Sequence, residues 1–568
     1  MGRTKGHDVQ QILDEPAEMR DGTVLCSDIY RPSGGGNHPV LVSRTPYDKA
    51  SNEEMARGLA ERGYVVVVQD IRGRYTSEGE FKWQFLDKSE TFDAQDGHDT
   101  AEWASTLSGS DGQVGTWGHS YPAWCSWLLA SARPSSLKAV FVGGISKGLL
   151  DLTNGIFETG RRLQWTHNMA MDARRRVGHR WGPKDRPEAD VNWQEVERGK
   201  WIWYLPLGEI PDHVFSTLAP ALKRYMTEQN LEHWALGDVH SKINVPTCNL
   251  TGWYDRINGT IDQYAGMVTN GPASLKGDHR LIVGPWGHSN LEISGHQGPL
   301  DFGREADTNY IHEVTRWYDH HLKGIDNGLA GEPPVKLYVM GANRWRYEHE
   351  WPLARTRYTE FFLHSRGGAN TVAGDGGLST TEPAGEPPDE FTYDPRDPVM
   401  SLMGLDSQTA PRDQSPLDGR GDILVYQTPP LEQGIEIVGP VELRLWATSS
   451  APDTDFTAKL IDVHPSGLAV NLTYGIMRAS YRDGFENPTP MEPGTPYEFV
   501  LRLRPTGVLL GPGHRLRLDV SSSDFPNFDR NHNTGKDFWS DAELKVARQT
   551  VMHDSDYPSR LVLPVIED

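Results

Sequence analysis

Val114-Gly115-Thr116-Trp117-Gly118-His119-Ser120-Tyr121-Pro122-Ala123 sets a serine two residues after a glycine, at the end of a short apolar run and ahead of an Ala/Trp/Leu-rich stretch. This spacing predicts a nucleophile elbow: a strand that stops abruptly, a strained serine with its hydroxyl exposed, and a helix whose first amide can face a developing oxyanion. Gly118 answers the crowding of backbone against backbone in such a turn. The usual second glycine is missing. Pro122 stands two residues beyond the serine, where a helix's first turn tolerates its absent N–H. Alone, G-x-S fits an ordinary strand-to-helix turn as well, so its surroundings must decide.

Outward from the elbow, strand and helix signals alternate. Val40-Leu41-Val42 and Val65-Val66-Val67-Val68 flank a polar amphipathic stretch near Asn52 to Glu61; a helix over Ala94 to Leu107 precedes the strand Gln113 to Trp117, and Lys138 to Val142 follows the helix after Ser120. Continuous β-branched runs bounded by helices indicate parallel strands buried on both faces of a doubly wound α/β sheet. From about Leu149 to Ser241 the texture changes to Trp- and Arg-rich segments with Pro and Gly breaks. Strands resume at Val245 to Leu250 and Arg280 to Val283, so the segment between reads as a helical cap inserted into the sheet domain. A helix over Tyr310 to Leu322 ends on Lys323-Gly324, a basic last turn followed by glycine. Beyond Trp351 come a Pro/Gly-rich stretch and period-2 runs such as Val441 to Trp446 and Arg515 to Val520. These predict antiparallel strands with one wet face, assembled as a jelly-roll β-sandwich. The fold expected is an α/β-hydrolase domain (1–146 and 242–352) interrupted by a helical cap (147–241), then a jelly-roll sandwich (353–568).

Bulk properties narrow the function. A length of 568 residues exceeds one core at ~150 residues per domain. A net charge of −22 disfavours nucleic acid and anionic membranes as partners. The start, MGRTKGHDVQQILDEP, has no apolar h-region, and no stretch approaches the ~18 apolar residues of a membrane span, which predicts a cytoplasmic protein. Cys26, Cys125 and Cys248 are odd in number and set in apolar context, which argues for small core residues rather than disulfides or thiolate metal ligands. No cofactor is expected, and a homodimer stays open.

A serine needs a base, and the base needs an acid to hold its tautomer. Gly252-Trp253-Tyr254-Asp255 follows one strand and Gly284-Pro285-Trp286-Gly287-His288 the next, delivering Asp255 and His288 to the same sheet edge as Ser120. Taken singly, a turn aspartate and a surface histidine are the commoner readings. Together, the order Ser120, Asp255, His288 is that of an α/β-hydrolase. His119 belongs to the elbow and is read as a packing residue. Adjacent His320 and His321 face apart on a helix, no histidine and carboxylate set completes a site around them, and no metal is predicted. One oxyanion donor is the Tyr121 amide. The loop Ser43 to Lys49 offers the Tyr47 hydroxyl, because Pro46 has no N–H to give; a tyrosine that merely lines the pocket fits equally well.

Arg44-Thr45-Pro46-Tyr47-Asp48-Lys49, Gln69-Asp70-Ile71-Arg72-Gly73, Ser77-Glu78-Gly79-Glu80-Phe81, the elbow and the two strand-end motifs together resemble the cocaine esterase-like (CocE/NonD) serine hydrolases, related to X-Pro dipeptidyl peptidases and α-amino acid ester hydrolases. The resemblance extends through Val339-Met340-Gly341, Trp345-Arg346 and Glu350-Trp351-Pro352 to Asp453-Thr454-Asp455-Phe456 and Ser521 to Pro526; the cap carries none of these motifs. It implies a Ser120/His288/Asp255 triad and an oxyanion hole from Tyr121 and Tyr47. Two departures stand out. Ala123 replaces a glycine of the family's G-x-S-Y-x-G pattern. Arg256-Ile257-Asn258 follows Asp255 where members acting on free α-amino groups carry an acidic cluster, which disfavours an aminopeptidase or amino-ester role.

The function expected is hydrolysis of a small-molecule carboxylic ester through an acyl-enzyme. Amidase, acylase or acyltransferase work shares the triad, and a carbohydrate- or protein-binding module with a decayed hydrolase domain is the reading from another class. Trp165, Gln164, Ile257 and Trp253 are the candidate substrate contacts, where cap, hydrolase and sandwich meet. Arg161, Arg162, Arg174, Arg175 and Arg176 in the cap leave an acidic or aromatic acyl group open, although arginine runs ordinarily lie on solvated faces.

Overall fold

The computed structural model describes residues 6–83, 91–145, 155–228, 236, 239–257, 259–288, 292–402 and 411–567. The sequence break placed at 146/147 and Asn258 lie outside these residues. The first sheet is built from β1 (Val9–Glu18), β2 (Val24–Pro32), β3 (His38–Thr45), β4 (Val65–Asp70), β5 (Ser110–His119), β6 (Leu137–Gly143), β7 (Thr247–Gly252), β8 (Arg280–Gly284), β9 (Val335–Val339) and β10 (Arg344–Glu348). Their order is β1-β2-β4-β3-β5-β6-β7-β8-β9-β10. The seven strands from β4 to β9 run parallel, and antiparallel strands close both edges. Because the strands are parallel, the residues after β5, β7 and β8 emerge at one edge of the sheet.

The α-helices longer than four residues among the described residues are α1 (Glu53–Ala60), α2 (Asp93–Ser105), α3 (Tyr121–Ser131), α4 (Thr159–Arg176), α5 (Arg186–Asn192), α6 (Ala219–Thr227), α7 (Thr260–Asn270) and α8 (Tyr310–His321). Val65 to Val68 are fully buried because both faces are covered: Met55, Leu59, Val314 and Trp317 of α1 and α8 pack on one side, and Ala101, Ala104 and α3 on the other. α3 is apolar all round and buried from Tyr121 to Ala130, which makes it the central helix of its layer. α4, α5 and α6 lie in the segment between β6 and β7. There the arginine run departs from expectation. α4 turns Arg162 and Arg174 inward, leaving Arg175 and Arg176 exposed. Aromatic faces receive the two cations, Tyr225 at 5.5 Å from Arg162 and Trp181 at 5.2 Å from Arg174.

The chain passes to a second sheet between β10 and β11. Its strands are β11 (Thr356–His364), β12 (Gly377–Ser379), β13 (Asp389–Tyr393), β14 (Leu424–Gln427), β15 (Ile435–Ser449), β16 (Asp455–Val463), β17 (Ala469–Arg478), β18 (Tyr497–Leu510), β19 (Arg515–Ser521), β20 (Ala547–Met552) and β21 (Arg560–Ile566). Their order is β13-β20-β15-β21-β11-β12-β14-β19-β16-β17, with β18 paired to β15. Every pairing but β12 with β14 is antiparallel. β15 alternates as its period-2 pattern predicts, with Val441, Leu443 and Leu445 buried and Glu442, Arg444 and Trp446 half-buried. β19 does not keep one wet face. Arg517 and Asp519 are buried on it as an ion pair at 2.6 Å, because β19 lies between β14 and β16 and the Asp418 segment covers Arg517, accepting from it at 2.7 Å.

Candidate active site

Ser120 has φ 63° and ψ −126°, the strained left-handed backbone of an elbow, and it stands between the last residue of β5 and the first of α3. Its N–H donates to Gly143 O at 2.9 Å, and its carbonyl accepts from Ala123 at 3.0 Å and Trp124 at 3.2 Å. A Cβ on Gly118 would lie 2.3 Å from the Pro122 carbonyl carbon, so the close approach of this turn falls on Gly118. Ala123, fully buried, takes the place of the family's glycine with its amide still bonded inside the turn.

His288 Nδ1 lies 3.0 Å from Asp255 Oδ1 and 3.1 Å from Oδ2. The carboxylate is fixed further by the Ile257 N–H, 2.7 Å from Oδ1, and the Thr251 hydroxyl, 3.3 Å from Oδ2. Burial alone would raise the Asp255 carboxyl, but His288 beside it and the Ile257 amide hold it below the ordinary carboxylate range. The loop after β6 joins these groups to the serine. Gly143 accepts from Ser120, and a Cβ on Gly144 would come within 2.8 Å of His288 Cε1. The sheet edge therefore gathers Ser120, Asp255 and His288.

The Ser120 side chain lies close enough to the Tyr47 hydroxyl to act on it electrostatically. Tyr47 accepts through its oxygen from Trp165 Nε1 at 3.1 Å, and its ring meets Tyr121 edge-on at 6.2 Å. Burial raises its phenol above the ordinary value, with Arg186 acting the other way, so it stays a proton donor. Tyr121 opens α3, where helix geometry supplies no internal acceptor for its N–H.

The four candidate substrate contacts separate. Trp165 lies at the site, bonded to Tyr47 and 5.2 Å ring to ring from the buried Trp83. Gln164 is buried on the same helix turn, its amide N 3.4 Å from Asp190. Ile257 is buried and serves Asp255 through its backbone. Trp253 is no pocket wall. It is 2% exposed, donates to Tyr338 O at 2.7 Å and packs in the core shared with the second sheet, because the β7 and β9 ends close over it.

His119 was readable as a packing residue, but its place was not. Its ring packs against that of His288, tilted by 46° with centroids 4.5 Å apart, and neither nitrogen has a hydrogen-bond partner among the described residues. Burial, and then His288, push it down to about 3, so it is neutral. The histidine and carboxylate groupings of the structure fall elsewhere than His320 and His321. Among the described residues, His119, Asp255 and His288 bring ligand atoms within 4.8 Å of one another, as do Asp462, His464 and His514. The second set is already joined by a 2.7 Å contact of His514 with Asp462. The second set joins Asp462 and His464 to His514 across the paired strands β16 and β19, a meeting that motif spacing does not show. A cavity of about 460 Å³ in the cap, with His167, Arg174, Trp181 and Glu197 in its walls, shares no lining residue with the triad.

Residues 21–290 match the model of the X-Pro dipeptidyl-peptidase (S15) family, and residues 327–562 that of the X-Pro dipeptidyl-peptidase C-terminal non-catalytic domain. A cocaine esterase of Rhodococcus sp. is 36% identical over 580 residues, covering 97% of both chains. The chain belongs to the cocaine esterase-like family of serine hydrolases. Within that family, a protein of Mycobacterium bovis described as a serine esterase is 24% identical over 90% of both chains. The crystal structure of an α-amino acid ester hydrolase superposes with a TM-score of 0.80 at 25% identity, covering 98% of this chain and 97% of the other. The family's fold, an α/β-hydrolase domain with a further β domain after it, is the one described above.

Proposed function

We propose that this family member hydrolyses a carboxylic ester of a small molecule by acyl transfer through Ser120, His288 and Asp255. One observation carries the reading: both oxygens of Asp255 engage Nδ1 of His288, which favours the tautomer with Nε2 unprotonated, the form that can take a proton from a serine. Ser120 Oγ attacks the carbonyl as His288 takes its proton and passes it to the departing alkoxide; Asp255 stays ionised and holds the imidazolium. The Tyr121 N–H and the Tyr47 hydroxyl bind the oxyanion. Tyr47 suits this role because its oxygen already accepts from Trp165, which leaves its own proton to give. Water then attacks the acyl-enzyme with His288 as base. Free-amine substrates fit poorly, since Arg256 and Ile257 follow Asp255.

No helix among the described residues is long and apolar enough to cross a membrane. A cytoplasmic place is part of this reading, supported by three free cysteines.

Turnover of 4-nitrophenyl butyrate, with intact mass of the protein during turnover, tests it. Wild type should show an added butyryl mass, and Ser120→Ala neither that mass nor turnover above background. Tyr47→Phe should lower kcat by about 10²–10³-fold with KM little moved. Serine-independent turnover would defeat the triad, and an unchanged kcat in Tyr47→Phe would remove Tyr47 from the oxyanion hole.

A further inference from the structure

The first turn of α4, the residue after Asp255 and strand β18 together bring four arginines around one carboxylate. Glu158, 2% exposed, accepts from Arg161 Nη1 at 3.1 Å and is ion-paired with Arg162 Nη2 at 2.6 Å. Arg256 lies within electrostatic reach of Arg161, Arg162 and Glu158, and Arg504 of β18 acts on the same glutamate. Arg256 is 2% exposed, yet its Nε and Nη2 have no hydrogen-bond partner among the described residues. Arg504 rests on the Tyr474 ring at 4.6 Å with Nη2 likewise unpartnered. Among the described residues, four guanidiniums act on the single Glu158 carboxylate, in a chain whose net charge is −22. Of the nearby acids, Asp524 is held by Lys459 at 2.7 Å, and Asp190 stands 3.9 Å from Arg186.

The electrostatics record the imbalance. Burial would raise the Glu158 carboxyl, but Arg161, Arg162, Arg256 and Arg504 bring it down to about 2. Burial, and then Arg161, push Arg256 down to about 9. A desolvated guanidinium with unbonded donors is a standing cost to a fold unless an anion meets it. The cluster also reaches the reacting centre. Arg256 follows Asp255 directly, Arg161 acts on the Tyr47 hydroxyl, and Arg186 sits 5.5 Å from the Tyr47 ring.

We infer that the ester taken by this site carries a carboxylate, received by Arg161 and Arg256 beside the triad. The inference rests on the ester-hydrolase reading and names its substrate class. The carboxylate belongs either to the acyl part or to the alcohol part, and arginine forks suit both.

Matched pairs separate these sources: the 4-nitrophenyl hemiester of glutaric acid against 4-nitrophenyl pentanoate, and 3-carboxyphenyl butyrate against phenyl butyrate. In one pair the anionic ester should exceed its neutral match in kcat/KM by about tenfold or more, chiefly through KM. That ratio should fall about tenfold in Arg161→Gln and in Arg256→Gln, and partly recover in Arg161→Lys. A ratio taken within one preparation is unaffected by the fraction folded. Wild type without preference for either anion, or a preference that survives both glutamine variants, would overturn the inference while leaving the esterase intact. Failure of all four esters to acylate Ser120 would instead bring down the hydrolase reading and this inference with it.

Discussion

His119 shows how a single residue ties stability to pH. Unfolded, its imidazole takes a proton near pH 6.5; folded, only near 3, because it is buried against His288. A base whose folded pKa is depressed gives its full stability above the unfolded value and loses it as pH falls toward the folded one. Between about pH 6 and pH 4, wild type should therefore lose roughly 1.4 kcal/mol per pH unit more than His119→Leu, which has nothing to protonate there. Urea unfolding of both proteins across that range reads the difference in slope, and parallel pH profiles would show that His119 titrates alike in both states. Ser120, Asp255 and His288 could be read from sequence because each follows a strand run that ends in glycine. The packing of His119 against His288 and the burial of Arg256 could not, since both depend on which segments meet across the sheet. Trp253 misled for the same reason: an aromatic beside Asp255 looks like a pocket wall until β9 supplies the Tyr338 carbonyl that bonds it inward.

At the scale of elements, the two loops that deliver Asp255 and His288 act as one piece. Trp253 N donates to Gly284 O at 2.8 Å and Tyr254 N to Trp286 O at 3.0 Å. A Cβ on Gly252 would lie 2.0 Å from Trp286 O, a backbone atom that cannot swing aside. Gly252→Ala should thus part the loops, lower stability by about 1–3 kcal/mol and cut kcat with every proposed catalytic side chain still present. A thermal melt with ester kinetics checks both, and full activity would mean that the loops move independently. The buried parallel strands were legible because Val65 to Val68 and their like are uniformly apolar. β1, β2 and β10 were not. Val9–Glu18 holds Pro16 and a register shift between Ile12 and Glu15, and its side chains are mostly half-buried or exposed, so neither an apolar run nor clean alternation survives there. Inside the cap, helix was legible from the absence of strand pattern, but arginine faces were misjudged because aromatic rings and a buried Glu158 replaced solvent.

Across the whole molecule one hydrophobic core spans both sheets. Trp253, Leu281, Val283 and Leu337 of the first cluster with Phe456, Leu501 and Val508 of the second. Backbone bonds cross the boundary as well, Met340 N to Gly507 O at 2.9 Å and Leu509 N to Met340 O at 2.8 Å, and Arg346 pairs with Glu436. A core without a seam implies that the sheets unfold together. The contact nearest the chemistry is Gly507 against Trp253, where a Cβ would lie 2.6 Å from the indole. Trp253 is rigid on both sides, bonded to Tyr338 and followed two residues later by Asp255. Gly507→Ala should therefore push the indole toward the Asp255 loop and lower kcat several-fold, although residue 507 lies in the second sheet. It should also lower the midpoint of one shared calorimetric transition without splitting it. Two separate transitions in wild type would show that the sheets are energetically independent, and an unchanged kcat in Gly507→Ala would show that the second sheet supports the first without positioning its active site.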